Sequence, residues 1–150
     1  MSYLSLLPID PAALLADFTR AAAGAGAIVS FTGVVRGEGG VETLWLDHHP
    51  RLTEQAFVLL YEQAMQRFDL DSLAIVHRAG NIPAGEPIVF VAAAARHRRS
   101  AFDAVDHVMD RLKTDVPLWK RETAAGGTRW IEARPEDHRD RARWEVEDAN

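Results

Sequence analysis

The sequence predicts a single α+β domain, with a mixed and mostly antiparallel sheet and three main helices. Amphipathic segments alternate with β-rich ones along 150 residues, enough for one buried core and too few for two. The strand-like segments fall in neighbouring pairs instead of strict βαβ alternation, which disfavours a doubly wound parallel sheet. The 47% apolar and 26% charged fractions are those of an ordinary globular chain and exclude disorder, collagen-like repeats and a coiled coil.

Asp10-Pro11 reads as an N-cap followed by proline at the first helical position. The helix it opens carries Leu14, Leu15 and Phe18 on one side, and Gly24 and Gly26 end it. Residues 27–35 (AIVSFTGVV) are β-rich, and residues 42–48 alternate as a half-buried strand; Gly37, Gly39 and Gly40 make a flexible connection between them. Thr53 is expected to cap a second helix with Ala56, Leu59, Leu60 and Ala64 facing inward. Strands follow at 72–78 and 87–95, joined by AGNIPAGE, which reads as a turn-rich loop. Ser100 is expected to cap a third helix with Phe102, Val105, Met109 and Leu112 at helical spacing. Pro117 starts an extended piece, Gly126-Gly127 turns it, and TRWIEA returns as a hairpin partner. Residues 1–134 are thus read as the domain. Residues 135–150 form a charged C-terminal tail, either a surface helix or a frayed end, with Trp144 available to dock it.

Composition narrows function. The chain has no Cys, so disulfides, thiolate metal sites and a thiol nucleophile of its own are excluded. A net charge of -5 argues against generic polyanion binding. No apolar run approaches membrane-spanning length and no basic export signal opens the chain, so a cytoplasmic location is expected. His48 and His49 are adjacent and would face opposite ways on a strand, and His77, His107 and His138 lack ligand spacing, so no metal site or cofactor is expected. Phosphate-loop, dinucleotide-binding and nucleophile-elbow motifs are absent.

Two basic clusters remain. Arg96-His97-Arg98-Arg99 sits where a strand gives way to a helix, a place where free N–H groups and the helix dipole favour an anion. Arg36 ends another strand beside the glycine-rich connection. The second cluster is Lys113, Lys120, Arg121 and Glu122. These are the chain's two lysines among 17 basic residues, and lysine, unlike arginine, can give up its proton. If the two ammonium groups face one another, repulsion depresses at least one pKa; if they diverge, both are ordinary surface charges.

The segments FTGVVR (31–36), LDHHPRLTE (46–54), VHRAGNIPAGE (76–86), RHRRSAF (96–102), LKTDVPLWKRE (112–122) and RWIEAR (129–134), in that order, resemble the large, catalytic subunit of molybdopterin synthase. The resemblance implies an α/β hammerhead-like fold and a homodimer within a heterotetramer. Each large subunit would carry a small ubiquitin-like sulfur-carrier subunit whose C-terminal Gly-Gly ends in a thiocarboxylate. The implied reaction moves two sulfurs onto cyclic pyranopterin monophosphate to make molybdopterin, within molybdenum cofactor biosynthesis. It implies Lys113 and Lys120 as catalytic residues. Val34, Val35, Arg36, His97, Arg98, Arg121, Glu122 and Arg134 would join the lysines in holding substrate, with Arg134 reaching toward the neighbouring subunit's pocket. Two departures bear on loop closure and anion affinity: a short Gly37–Val41 connection, and Arg99 where a small polar residue is usual. The competing readings are a non-catalytic dimeric scaffold for a ubiquitin-like tail, and an enzyme acting on another phosphorylated heterocycle.

Overall fold

The computed structural model describes residues 1–147, with side chains up to residue 145. The α+β reading holds, with the strands divided between two four-stranded sheets. The first contains β1 (Ser2–Ser5), β4 (Ser72–Arg78), β6 (Pro87–Ala95) and β2 (Ala27–Val34) in the order β1-β4-β6-β2. Only β1 pairs in parallel; β4, β6 and β2 are antiparallel neighbours. The second sheet is wholly antiparallel, in the order β5 (Gly80–Pro83), β3 (Val41–His48), β7 (Leu118–Ala124) and β8 (Gly127–Ile131).

The near-continuous apolar runs of β4 and β6 follow from their central place, where both faces are covered. Leu73, Ile75, Val89, Val91 and Ala93 face a core closed by α2 (Pro50–Arg67) and α3 (Arg98–Thr114). Ala74, Val76, Phe90, Ala92 and Ala94 face α1 (Pro11–Ala21), which contributes Phe18. The inner face of the second sheet adds Leu44, Leu46 and Ile82 to the larger core. Among the described residues, no helix is long and apolar enough to cross a membrane.

Three local expectations are corrected and one strand is added. AGNIPAGE is not all loop: Gly80–Pro83 is β5, pairing with β3 and leaving a short turn before β6. The N-terminal strand β1 has too little alternation in four residues to be read. The α2 helix starts a turn before Thr53, with His49 as N-cap and Pro50 at N1. His49 Nδ1 accepts from the Leu52 amide, and the His49 amide donates to Thr53 Oγ1, a reciprocal cap. This start places Thr53, Phe57, Leu60 and Ala64 inward and leaves Leu59 exposed. Likewise α3 starts at Arg98 with His97, not Ser100, as N-cap. Its buried stripe includes Ala101, Ala104, Val105, Val108 and Leu112, while Phe102 points to solvent.

The charged tail forms α4 (Pro135–Glu147), which packs on α3. Trp144 is buried, its indole N–H donating to Asp110 at 2.8 Å and its ring edge-on to His107 and Phe68.

Candidate active site

The path to the site begins with the turn that follows β5. Gly85 adopts φ +88°, a conformation glycine takes without penalty. Its amide donates to the Val35 carbonyl, and the Val35 amide donates to the Glu86 carbonyl, at 2.8 and 3.0 Å. The buried Arg78 guanidinium holds Glu86 from beneath at 2.6 Å. Val35 is thereby fixed, and Arg36 follows it into a defined position at the end of β2. The AGNIPAGE segment therefore sets the strand exit that delivers Arg36.

Lys113 lies in the last turn of α3, where a cation also suits the helix dipole. Lys120 lies on β7 opposite Leu46 of β3 and Ile131 of β8, on the inward face of the second sheet. Its neighbours Trp119 and Arg121 point the other way, as the two-residue strand period requires. Arg134 stands immediately before α4.

These elements enclose a cavity of about 260 Å³. Val34, Val35, Arg36, Lys113, Lys120, Glu122 and Arg134 all line it. Leu44, Ile88, Leu118 and Ile131 form its apolar wall, and Glu132 and Asp137 add carboxylates. The lysines do converge. Burial depresses the Lys120 pKa below its ordinary value, the Lys113 ammonium depresses it further, and Asp137 opposes both. Behind it, His77 is held neutral, its pKa lowered to about 4 mainly by burial, with the Lys120 charge adding to the effect.

Three expected residues lie elsewhere in the protomer. Arg121 is on the outer face of its sheet, between the rings of Trp45 and Trp130 at 5.7 and 5.5 Å. His97 and Arg98 stand at the opposite end of α3 from Lys113, about 22 Å away at 1.5 Å per residue. Arg98 and Lys113 line opposite ends of a separate groove that runs along α3 beside β2. Arg134, expected to reach a neighbouring subunit, lines the cavity of its own chain.

Sequence reasoning missed Asp137. Its Oδ1 accepts from Lys113 Nζ at 3.0 Å, and its Oδ2 accepts from the Arg134 amide at 2.9 Å. The second bond is one half of a capping box, with the N3 carboxylate reaching back to the N-cap amide. Burial alone would raise the Asp137 carboxyl. The Arg134 amide, Lys113 and Lys120 outweigh it and hold the carboxyl below the usual aspartate range. An acid in a first helical turn was the available signal, and it announces a helix start, not a lysine partner.

Paired amines, one of them depressed, beside two guanidinium groups in a partly apolar cavity define a site for an anionic substrate with acid–base or oxyanion-stabilising chemistry. Comparison with known proteins gives the class a family. The MoaE protein family model matches residues 4–115. A Cereibacter sphaeroides relative named molybdopterin synthase catalytic subunit is 43% identical over 138 residues, 91% of this chain and 94% of its own. A Pseudomonas aeruginosa relative of the same name is 47% identical over 125 residues, 81% and 83% of the two chains. The solved molybdopterin biosynthesis MoaE protein of Burkholderia ambifaria superposes with a TM-score of 0.81 at 37% identity, covering 95% of this chain and 96% of that one. The chain belongs to the MoaE family, that of molybdopterin synthase catalytic subunits. A Helicobacter pylori complex of subunits 1 and 2 of molybdopterin-converting factor has the same fold, with a TM-score of 0.75 at 20% identity.

Proposed function

We propose that the chain is a sulfurtransferase that converts cyclic pyranopterin monophosphate to molybdopterin in the cytoplasm. Its sulfur would come from the thiocarboxylated Gly-Gly terminus of a small ubiquitin-like carrier subunit. The observation that carries this reading is the convergence of Lys113, Lys120, Arg36 and Arg134, from four separate segments, on one cavity. Each transfer forms a C–S bond at a substrate carbon in place of a C–O bond, the displaced oxygen staying on the phosphate or leaving as water. It breaks the C–S bond of the thiocarboxylate, whose acyl carbon takes an oxygen from water and returns as a carboxylate. The oxyanion that develops on the tail is met by the Lys113 ammonium. Lys120, its proton loosened by burial and by Lys113, is the group placed to give up and take back a proton. Arg36 and Arg134 hold the phosphate, and Val34, Val35 and Glu122 line the pterin side. A sulfur donor that arrives on a partner also accounts for a catalyst with no cysteine.

His97 and Arg98 complete this site from a second copy of the chain. The cavity is at the lower limit for a small-molecule site, as expected of a pocket finished by another subunit. Strand β2 is the open edge of its sheet, and Phe31, Val34 and the nearby Phe102 are exposed. It begins beside Ala95, two residues before His97, and ends at the cavity. Two β2 edges apposed antiparallel about a two-fold axis bring the basic end of each chain to the cavity of the other. Arg121 then acts from the outer sheet face, by orienting β7, without touching substrate.

The test is turnover of cyclic pyranopterin monophosphate with a thiocarboxylated carrier, read as dithiolene product. Lys113→Ala abolishes transfer, and so does Lys113→Arg if an amine is required. Full activity in Lys113→Arg rejects the chemical role, and carrier binding without turnover by the unaltered chain favours the scaffold. Mixing inactive Lys113→Ala and Arg98→Ala chains restores activity only if Arg98 acts across the dimer; mixtures that stay inactive place it elsewhere.

A further inference from the structure

The α4 helix lies beyond the segment matched by the family model, yet it delivers a carboxylate to Lys113. We propose that Asp137 is a positioning residue for Lys113, and that α4 is latched to α3 by Trp144 to keep it there. The proposal rests on the sulfurtransferase reading and adds the element that sets where its catalytic amine stands.

Lys113 occupies the last turn of a helix, and its flexible stem alone does not fix where the ammonium points. Asp137 supplies that fix. It is largely shielded, and each of its oxygens is engaged, one by Lys113 and one by the Arg134 amide. The carboxylate is therefore oriented by the start of α4 itself, so its position follows the position of the helix. The helix is in turn held at its far end. Asp110 of α3, itself buried, accepts from the Trp144 indole at 2.8 Å and from Arg143 at 2.7 Å. Arg67 of α2 donates to the Trp144 carbonyl at 3.0 Å, and Arg141 pairs with Asp115 at 2.6 Å. Arg134, which lines the cavity, immediately precedes α4 and gives its amide to Asp137, so the latch also governs a proposed phosphate ligand.

Asp137 has an electrostatic role as well. Lys120 faces Lys113 from α3, Asp137 from α4, Arg134 from the connection before it and His77 from β4, with Arg36, Glu122 and Glu132 around the same cavity. Among these, Asp137 is the carboxylate that offsets the mutual repulsion of the lysines.

The decisive experiment compares Asp137→Asn, Asp137→Glu and Trp144→Phe in the full chain with its thiocarboxylated carrier. It measures kcat and KM of sulfur transfer across pH, with thiocarboxylated carrier in excess, and the NMR titration of the two lysine side chains. Asp137→Asn lowers kcat roughly 10- to 100-fold with little change in KM, the scale of a misplaced catalytic group. It also moves the Lys120 titration to lower pH, and Asp137→Glu recovers part of both. Trp144→Phe, which keeps a ring and loses the indole N–H, gives a smaller fall that adds nothing to Asp137→Asn in the double variant. A wild-type chain that transfers sulfur beside an Asp137→Asn variant with the same kcat and Lys120 titration overturns the positioning role alone. A wild-type chain that transfers none overturns the functional reading and this proposal with it. A lower Tm with an unmoved pH profile makes Asp137 merely structural and overturns the proposal.

Discussion

Replacing Asp110 with Ala tests whether the C-terminal helix is part of the folded domain. Its Oδ2 accepts the Trp144 indole N–H at 2.8 Å and two bonds from Arg143, at 2.7 and 3.2 Å. The substitution leaves the Trp144 N–H buried without an acceptor, which costs about 1–3 kcal/mol. The Arg143 contribution is discounted, since that side chain is half-exposed and keeps Asp106 at 2.7 Å. A destabilisation of about 1–3 kcal/mol therefore follows. For a chain of this size it lowers Tm by roughly 2–12 °C. Asp110→Asn retains an acceptor for the indole and loses less.

Two readouts separate local from global loss. Thermal unfolding by circular dichroism gives the Tm. Hydrogen exchange of residues 135–145 reports whether α4 opens before the rest, as a subglobal unit does. Loss of α4 protection in Asp110→Ala, with β4 and β6 still protected, is the expected pattern. A variant that melts within a degree of the parent and keeps α4 protected refutes the assignment of Trp144 and Asp110 as the anchor.

Three further outcomes follow from the same structure. Gly26→Ala places a Cβ 2.2 Å from the Arg96 carbonyl oxygen, a backbone atom that must move; it destabilises by about 1–3 kcal/mol in urea titrations and disturbs His97 and Arg98 just beyond. Lys120→Met raises Tm at pH 7 while abolishing transfer, because the folded chain depresses the Lys120 pKa and so carries the burial cost of its charged form until pH rises past the folded value. Asp115 and Asp137 have folded pKa values held below those of the unfolded chain. The stability they add is thus complete above the ordinary aspartate range and is lost as pH falls through their folded values; Asp115→Asn and Asp137→Asn each flatten the acid limb of a pH–Tm curve.

The parts of the fold legible in the sequence were those governed by local rules. The Asp10 cap accepts from the Ala12 and Ala13 amides as its position before Pro11 requires. The buried runs of β4 and β6 and the Gly126-Gly127 turn are equally local. Helix starts were displaced where a histidine, an uncommon cap, stood one turn earlier than the expected Thr53 and Ser100. The stripe error at Leu59 and Phe102 is the same error carried forward, because a shifted start and a nearby exposed leucine or phenylalanine leave more than one apolar face to choose from. β1 and β5 were invisible because each is four residues long and owes its form to a partner strand.

The candidate site divides along the same line. Lysine against an arginine background marked Lys113 and Lys120, and a strand exit beside glycine marked Arg36. Their convergence is a property of how α3 and β7 meet, which no periodicity encodes. Asp137 was hidden for the converse reason: its partner lies 24 positions away, even though Trp144, the indole that anchors α4, stood out in the charged tail.

The charge distribution explains why this cavity needs its carboxylates. Arg36, Lys113, Lys120 and Arg134 line it with Glu122, Glu132 and Asp137, in a chain whose net charge is -5. Glu122 is turned toward Arg129 at 2.9 Å and Asp137 toward Lys113, so the acids hold cations in place as well as offset them. Four bare cations in a cavity of this size would repel strongly enough to splay their side chains into solvent. Four cations neutralised completely would give an anionic ester no reason to enter. The arrangement lies between these limits, with Lys120 buried and its proton loosened, and with Arg36 and Arg134 at the lining. On the proposed function, an incoming phosphate restores the balance that Asp137 only partly supplies. Its binding therefore raises the Lys120 pKa back toward the ordinary lysine range, a shift opposite in sign to that of Asp137→Asn and readable in the same NMR titration with a non-reactive phosphate ester. A Lys120 titration unmoved by such an ester would place the phosphate outside this cavity.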